Sequence, residues 1–135
     1  MRRFVPRAGP LHILTIEDNP GDVLLVRVGL EECGLQFEMT TAPDGETALA
    51  YLRDNAPPDL VLLDLNLPKT SGVQFLQDNR DVLRHIPVVV ISASPSPKDR
   101  QAALSGGAAV YFQKPNSLDG FVAIAQHLKA WFDRE

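Results

Sequence analysis

One cysteine in 135 residues, Cys33, rules out an internal disulfide. No metal-ligand pattern surrounds it, so it is expected as a buried thiol in a reducing compartment. No apolar run approaches membrane-spanning length. Arg2 and Arg3 are not followed by the apolar stretch of a secretory signal. A cytoplasmic protein with no membrane partner is expected. Beyond Arg2-Arg3 there is no Lys/Arg cluster, and the net charge is -4, which argues against a nucleic-acid surface. Repeats, low-complexity tracts and linkers are also lacking. What remains is a chain with 44% apolar residues, enough for one domain with a real core and too few for two.

The chain is organised around Asp59 to Pro68, which reads DLVLLDLNLP. Val61, Leu62 and Leu63 form an unbroken apolar run closed by a turn signal. That pattern fits a strand buried on both faces, as in the middle of a parallel sheet. The run ends in a carboxylate, Asp64. In open α/β sheets, ligands bind outside the carboxyl ends of the strands, so an acid there is a candidate for a site. Alone it could equally cap a loop.

The rest of the chain repeats this unit. Residues 1–10 read as a loose arm, and residues 11–135 as one domain. His12 to Ile16 is a first strand running into Glu17-Asp18-Asn19-Pro20, with Asn19 as helix cap and Pro20 as first helical residue. That helix should reach about Cys33, with Val23, Leu24, Leu25 and Val28 at helical spacing, and Gly34 stops it. Phe37 to Thr41 is a less apolar strand, hence nearer an edge. A helix over Glu46 to Asn55 precedes the central strand. Val73, Phe75, Leu76, Val82 and Leu83 mark a third helix, weakened by Asn79-Arg80-Asp81. Pro87 to Ser92 and Ala109 to Gln113 are two further strands, each followed by a helix. Five β-α units predict an α/β fold: a doubly wound parallel sheet with helices on both faces.

Four strands end in polar groups, Glu17-Asp18, Asp64, Ser92 and Lys114. A parallel sheet brings these tips to one edge. Three acids and one lysine stay net negative, and like charges about 4 Å apart repel by roughly 4 kcal/mol at an effective dielectric of 20. A cation should bind, and all-oxygen donors suit Mg²⁺ rather than zinc. Metal, carboxylate and lysine together suggest phosphoryl transfer to Asp64.

In order and spacing, IEDNPGD, VLLDLNLPKTSG, VVVISAS and FQKP resemble the response-regulator receiver domain of two-component signalling, over residues 11–132. The resemblance implies a flavodoxin-like fold with strand order 2-1-3-4-5. It implies Asp64 as phospho-acceptor, with Mg²⁺ held by Asp18, by Glu17 largely through water, by Asp64 and by the Asn66 carbonyl. Ser92 matches the hydroxyl switch, Tyr111 the aromatic switch, and Lys114 the family's lysine, followed by a cis bond to Pro115. The implied activity is limited to the domain's own phosphorylation and dephosphorylation, so no separate enzyme is expected. The implied partner is a sensor histidine kinase. The NPGD and LLDLNLP wording most resembles stand-alone regulators served by phytochrome-type kinases. Phe112, where a small apolar residue is more usual, is a departure from the family pattern.

The last helix ends almost at Glu135, so no output domain is expected, and the state must be presented by contact, or the protein is a phosphate relay or sink. Leu118, Phe121, Val122, Ala125, Leu128 and Phe132 share one helical face, assigned to the sheet. Ile124 and Trp131 fall on its flank beside His127, next to the strand bearing Tyr111, so the switch is expected to reach this flank directly. A symmetric homodimer with Trp131 near its centre is expected there. Two rivals share parts of this pattern. A phosphatase of the haloacid-dehalogenase type needs its nucleophile after the first strand and an Asp two residues on, where this chain has Asn66. A phosphorylation-independent docking module would not need the full set of site residues.

Overall fold

Strand apolarity dictates strand position. The computed structural model describes residues 9–133, so most of the expected arm lies outside the described residues. Five strands, β1 (Leu11–Ile16), β2 (Phe37–Ala42), β3 (Leu60–Leu63), β4 (Val88–Ser92) and β5 (Val110–Gln113), form one parallel sheet in the order β2-β1-β3-β4-β5. Every residue of β3 and β4 is buried, whereas β2 and β5, with mixed burial, take the edges. The helices are α1 (Pro20–Glu32), α2 (Gly45–Asp54), α3 (Gly72–Asp78), α4 (Arg80–Leu83), α5 (Pro97–Ser105) and α6 (Leu118–Asp133). This is the flavodoxin-like arrangement the alternation of elements predicts.

The period of two along each strand splits the core into two layers. Val61, Leu63 and Val90 face one layer with Leu52 of α2, Phe75 of α3 and Ala103 of α5. Leu60, Leu62, Val89 and Ile91 face the other, with Leu30 of α1 and Phe121, Ala125 and Leu128 of α6. Caps set several helix starts. Asn19 accepts from the Gly21 and Asp22 N–H groups, with Pro20 at the first turn, and Ser96-Pro97 repeats the device on α5.

Four expectations fail in detail. The third helix is two: the Asn79 side chain donates to the Phe75 carbonyl at 2.9 Å, competing with the helical backbone and parting α3 from α4. On α1 the inward stripe is not Leu24, which is 58% exposed, but Gly29 and Leu30. The helix is apolar almost all round, so periodicity alone does not choose a face. The choice is made at Gly29, where a methyl group would stand 2.9 Å from the Phe121 carbonyl oxygen, so only glycine lets α1 approach α6 this closely. On α6, Leu118 is exposed and Ile124 is buried at 7% exposure, reversing their expected places. The helix lies over the central strands, and Ile124 packs beside Leu62 and Ile91 rather than at the rim. Cys33 is half-buried at the α1 C-cap, not fully enclosed.

Candidate functional site

The hydrogen-bond ladder runs one step beyond the strands and thereby fixes the site. The Glu17 N–H donates to the Ala42 carbonyl, the Asp64 N–H to that of Ile16, and the Lys114 N–H to that of Ser92. Each functional residue is thus held at a strand tip by the sheet itself. One oxygen from each of Glu17, Asp18 and Asp64 lies within 4.8 Å of the others. Glu17 and Asp64 are buried, and Asp18 faces solvent. The Lys114 ammonium reaches across them, 3.0 Å from Glu17 and 3.3 Å from Asp64. The Asn66 N–H donates to Asp64 Oδ1 at 3.1 Å, fixing the carboxylate plane.

Its closest carboxylate is one that the strand tips do not supply. Asp22 Oδ2 stands 2.8 Å from the Lys114 Nζ. It escaped the sequence reading because it lies inside α1 rather than at a strand end. The signal was available: the third helical residue after a cap that follows β1 must stand at the same sheet edge as the tips.

Electrostatics follow from burial and crowding. Burial pushes the Glu17 carboxyl up from 4.5 to about 7, aided by Asp64 and opposed by its bond to Lys114. Because the folded value is the raised one, its contribution to stability is complete below about 4.5 and is lost as pH rises through about 7. Burial works against the Lys114 charge, but bonds to Asp22 and Glu17 and the field of Asp64 outweigh it and raise its pKa. A site where a carboxyl resists ionisation at neutral pH, and whose donors are all oxygens, fits a hard divalent cation such as Mg²⁺.

Ser92 and Tyr111 lie behind this edge, in the layer shared by α2, α3 and α5. Ser92 is wholly buried, and its Oγ accepts from the Ser94 N–H at 3.2 Å. Tyr111 donates its hydroxyl to the Ser94 carbonyl at 2.8 Å, with the Arg100 guanidinium 5.7 Å from its ring centre. Ser94 therefore joins the two, a link that no spacing announced. Trp131 packs in the opposite layer, as does Phe112, whose ring lies 5.8 Å from that of His127. The expected direct route from Tyr111 to Trp131 is thus interrupted by the sheet, because adjacent residues of β5 point to opposite faces. Among the described residues there is no cis peptide bond, so Lys114–Pro115 is trans, the form X–Pro bonds favour by about 0.5–1 kcal/mol. In that form the Pro115 ring beds against Gly120, where any side chain would collide with it.

A 2-1-3-4-5 parallel sheet with acids and a lysine at its carboxyl edge defines a receiver of the two-component type, and the chain belongs to the response regulator receiver domain family, which matches residues 13–126. It is 34% identical to the polar-differentiation response regulator DivK of Brucella anthropi over 116 residues, 84% of this chain and 91% of that protein. Two solved structures are similar throughout. The phosphorylated cyanobacterial phytochrome response regulator RcpA is 31% identical, with 93% of this chain and 96% of that one covered and a TM-score of 0.83. The Mn²⁺-bound response regulator Rcp1 is 30% identical, with 93% and 97% covered and a TM-score of 0.82. The chain is a receiver-domain response regulator of two-component signalling. Such domains are signalling proteins rather than classical enzymes, take phosphate from histidine kinases and bind Mg²⁺ in an acidic pocket. Among the described residues no helix is long and apolar enough to cross a membrane.

Proposed function

We propose that Asp64 accepts a phosphoryl group from a sensor histidine kinase and that the chain then signals to a partner by a change of conformation. The observation that carries this is the Lys114 ammonium bridging Glu17 and Asp64 at the sheet edge. An Asp64 oxygen attacks phosphorus, a P–O bond forms, and the P–N bond to the phosphohistidine breaks, its electron pair returning to the ring nitrogen. Asp18, Asp64, the Asn66 carbonyl and, largely through water, Glu17 would hold Mg²⁺, which would supply charge neutralisation for the phosphoryl oxygens. Lys114 orients and neutralises from the other side. Ser92 then turns its hydroxyl toward the phosphate, releasing the Ser94 N–H, and the bond from Tyr111 to Ser94 carries the change toward α5. The likeness to RcpA supports a phytochrome-type kinase as donor.

Intact mass with acetyl phosphate tests the chemistry. With Mg²⁺ the chain should gain one phosphoryl group, and with the metal chelated by EDTA the rate should fall at least about a hundredfold. Equal labelling in EDTA would reject the metal's role. Asp18→Ala should fall nearly as far.

The proposal includes a homodimer through α5, β5 and α6. The open edge of β5 and the half-buried Trp131 support it. Ile124, being buried, is no longer part of that surface. Sedimentation with and without beryllofluoride should show a dimer that Trp131→Ala weakens. A monomer in both states at high micromolar concentration would reject the dimer.

A further inference from the structure

Lys114 is saturated. An ammonium has three N–H donors, and three carboxylates stand around this one: Asp22 at 2.8 Å, Glu17 at 3.0 Å and Asp64 at 3.3 Å. A phosphoryl oxygen on Asp64 must take one of these N–H groups, and the ammonium must follow it. The three partners differ in what they lose.

Asp64 loses its charge on accepting the group, and its N–H passes to a phosphoryl oxygen, so how closely the ammonium can follow depends on the hold of the other two. Glu17 is 8% exposed at its side chain and already resists ionisation, so stripping it of the ammonium would leave a buried charge uncompensated. Asp22 is 23% exposed and sits in the first turn of α1. Water and the positive end of the helix can take the ammonium's place there. A small cavity lined by Thr15, Asp22, Asp64 and Lys114 adjoins the pair, and the Thr15 hydroxyl has no partner among the described residues. The cavity leaves space beside the pair, and the 2.8 Å ion pair holds Lys114 toward Asp22.

We propose that Asp22 is a positioning residue that competes with the phosphoryl group for Lys114, holding the ammonium in the resting protein and yielding it when Asp64 is modified. The inference rests on the reading of Asp64 as acceptor. It makes Asp22 a brake: the closer its hold on Lys114, the less readily the site takes an anion.

Beryllofluoride, which mimics the phosphoryl group without group transfer, provides the test. Calorimetric titration of the full chain in Mg²⁺ should show Asp22→Asn and Asp22→Ala binding it about three- to tenfold more tightly than the parent. Asp22→Glu, which restores the charge, should return toward parent affinity. Mg²⁺ alone should bind no more tightly to any of them. Removing a negative charge also helps an anion at long range, but that effect is screened at 1 M salt, where the Debye length is about 3 Å. Direct competition predicts that the gain persists there. A gain that vanishes in 1 M salt, or affinity no better than the parent's in both variants, overturns the proposal. If the parent fails to bind beryllofluoride, or Asp64→Asn binds it equally well, the acceptor reading itself falls and this inference with it.

Discussion

Asp64→Asn should lose at least about a hundredfold in phosphoryl uptake and yet melt no lower than the parent. The amide keeps the side chain's shape and still offers an oxygen to the Asn66 N–H, now 3.1 Å from Oδ1. It has no charged oxygen to attack phosphorus. Lys114 retains Asp22 and Glu17, so no ammonium is stranded. The variant also removes one of the charges that resist the ionisation of Glu17. Loss of repulsion and loss of one long ion pair oppose each other, and crowding is the larger effect because Asp64 and Glu17 are both buried in one acid cluster. Intact mass and metal-free calorimetry read the two halves separately. Parent-like labelling, or a melting temperature lower by more than about 5 °C, roughly 1–2 kcal/mol, would refute the assignment.

Gly72→Ala should destabilise the fold by about 1–3 kcal/mol and slow phosphoryl uptake as well. The reason lies in the approach of α3 to the loop after β3. A methyl group at Gly72 would stand 2.7 Å from the Asp64 carbonyl oxygen and 2.7 Å from the Leu65 Cα. Both neighbours are backbone, and the Gly72 N–H is tied to the Leu65 carbonyl at 2.8 Å, so neither can swing aside. Any relief must displace the peptide that carries Asp64. Gly45 offers a control. Its added methyl would meet the Phe75 ring at 2.9 Å, a side chain that can turn. Gly45→Ala should cost less and leave uptake near the parent's. Thermal melts of both variants with a labelling time course decide the matter. A Gly72→Ala protein that melts and labels like the parent would contradict the close packing.

The parts of this fold that were readable in the chain are those written in residue type along one element. Apolar runs marked β3 and β4, and Ser-Pro and Asn-Pro marked helix starts. Strand ends marked the acids and Lys114, because in a parallel sheet the end of every strand maps to the same place. What was not readable depends on a second element. Which side of α1 turns inward is decided by Gly29 meeting α6, and Ile124 is buried because of where α6 crosses the sheet. Asp22 joins the site through the axial rise of a helix, and Ser94 through a loop whose path no local pattern sets. Tyr111 and Trp131, adjacent by simple counting of elements, are separated by the alternation of β5.

That separation gives the molecule two addresses. The layer behind Ser92 and Tyr111 opens onto α2, α3 and α5, and the layer behind Trp131 opens onto α1 and α6. The sheet lies between them. A partner seated on one side alone would leave the other open, whereas the homodimer proposed through α5, β5 and α6 would touch both. At the carboxyl edge both sides meet the same few atoms, since Asp22 of α1 and Asp64 share the Lys114 ammonium. The edge is therefore a place where an event at one address can be felt at the other.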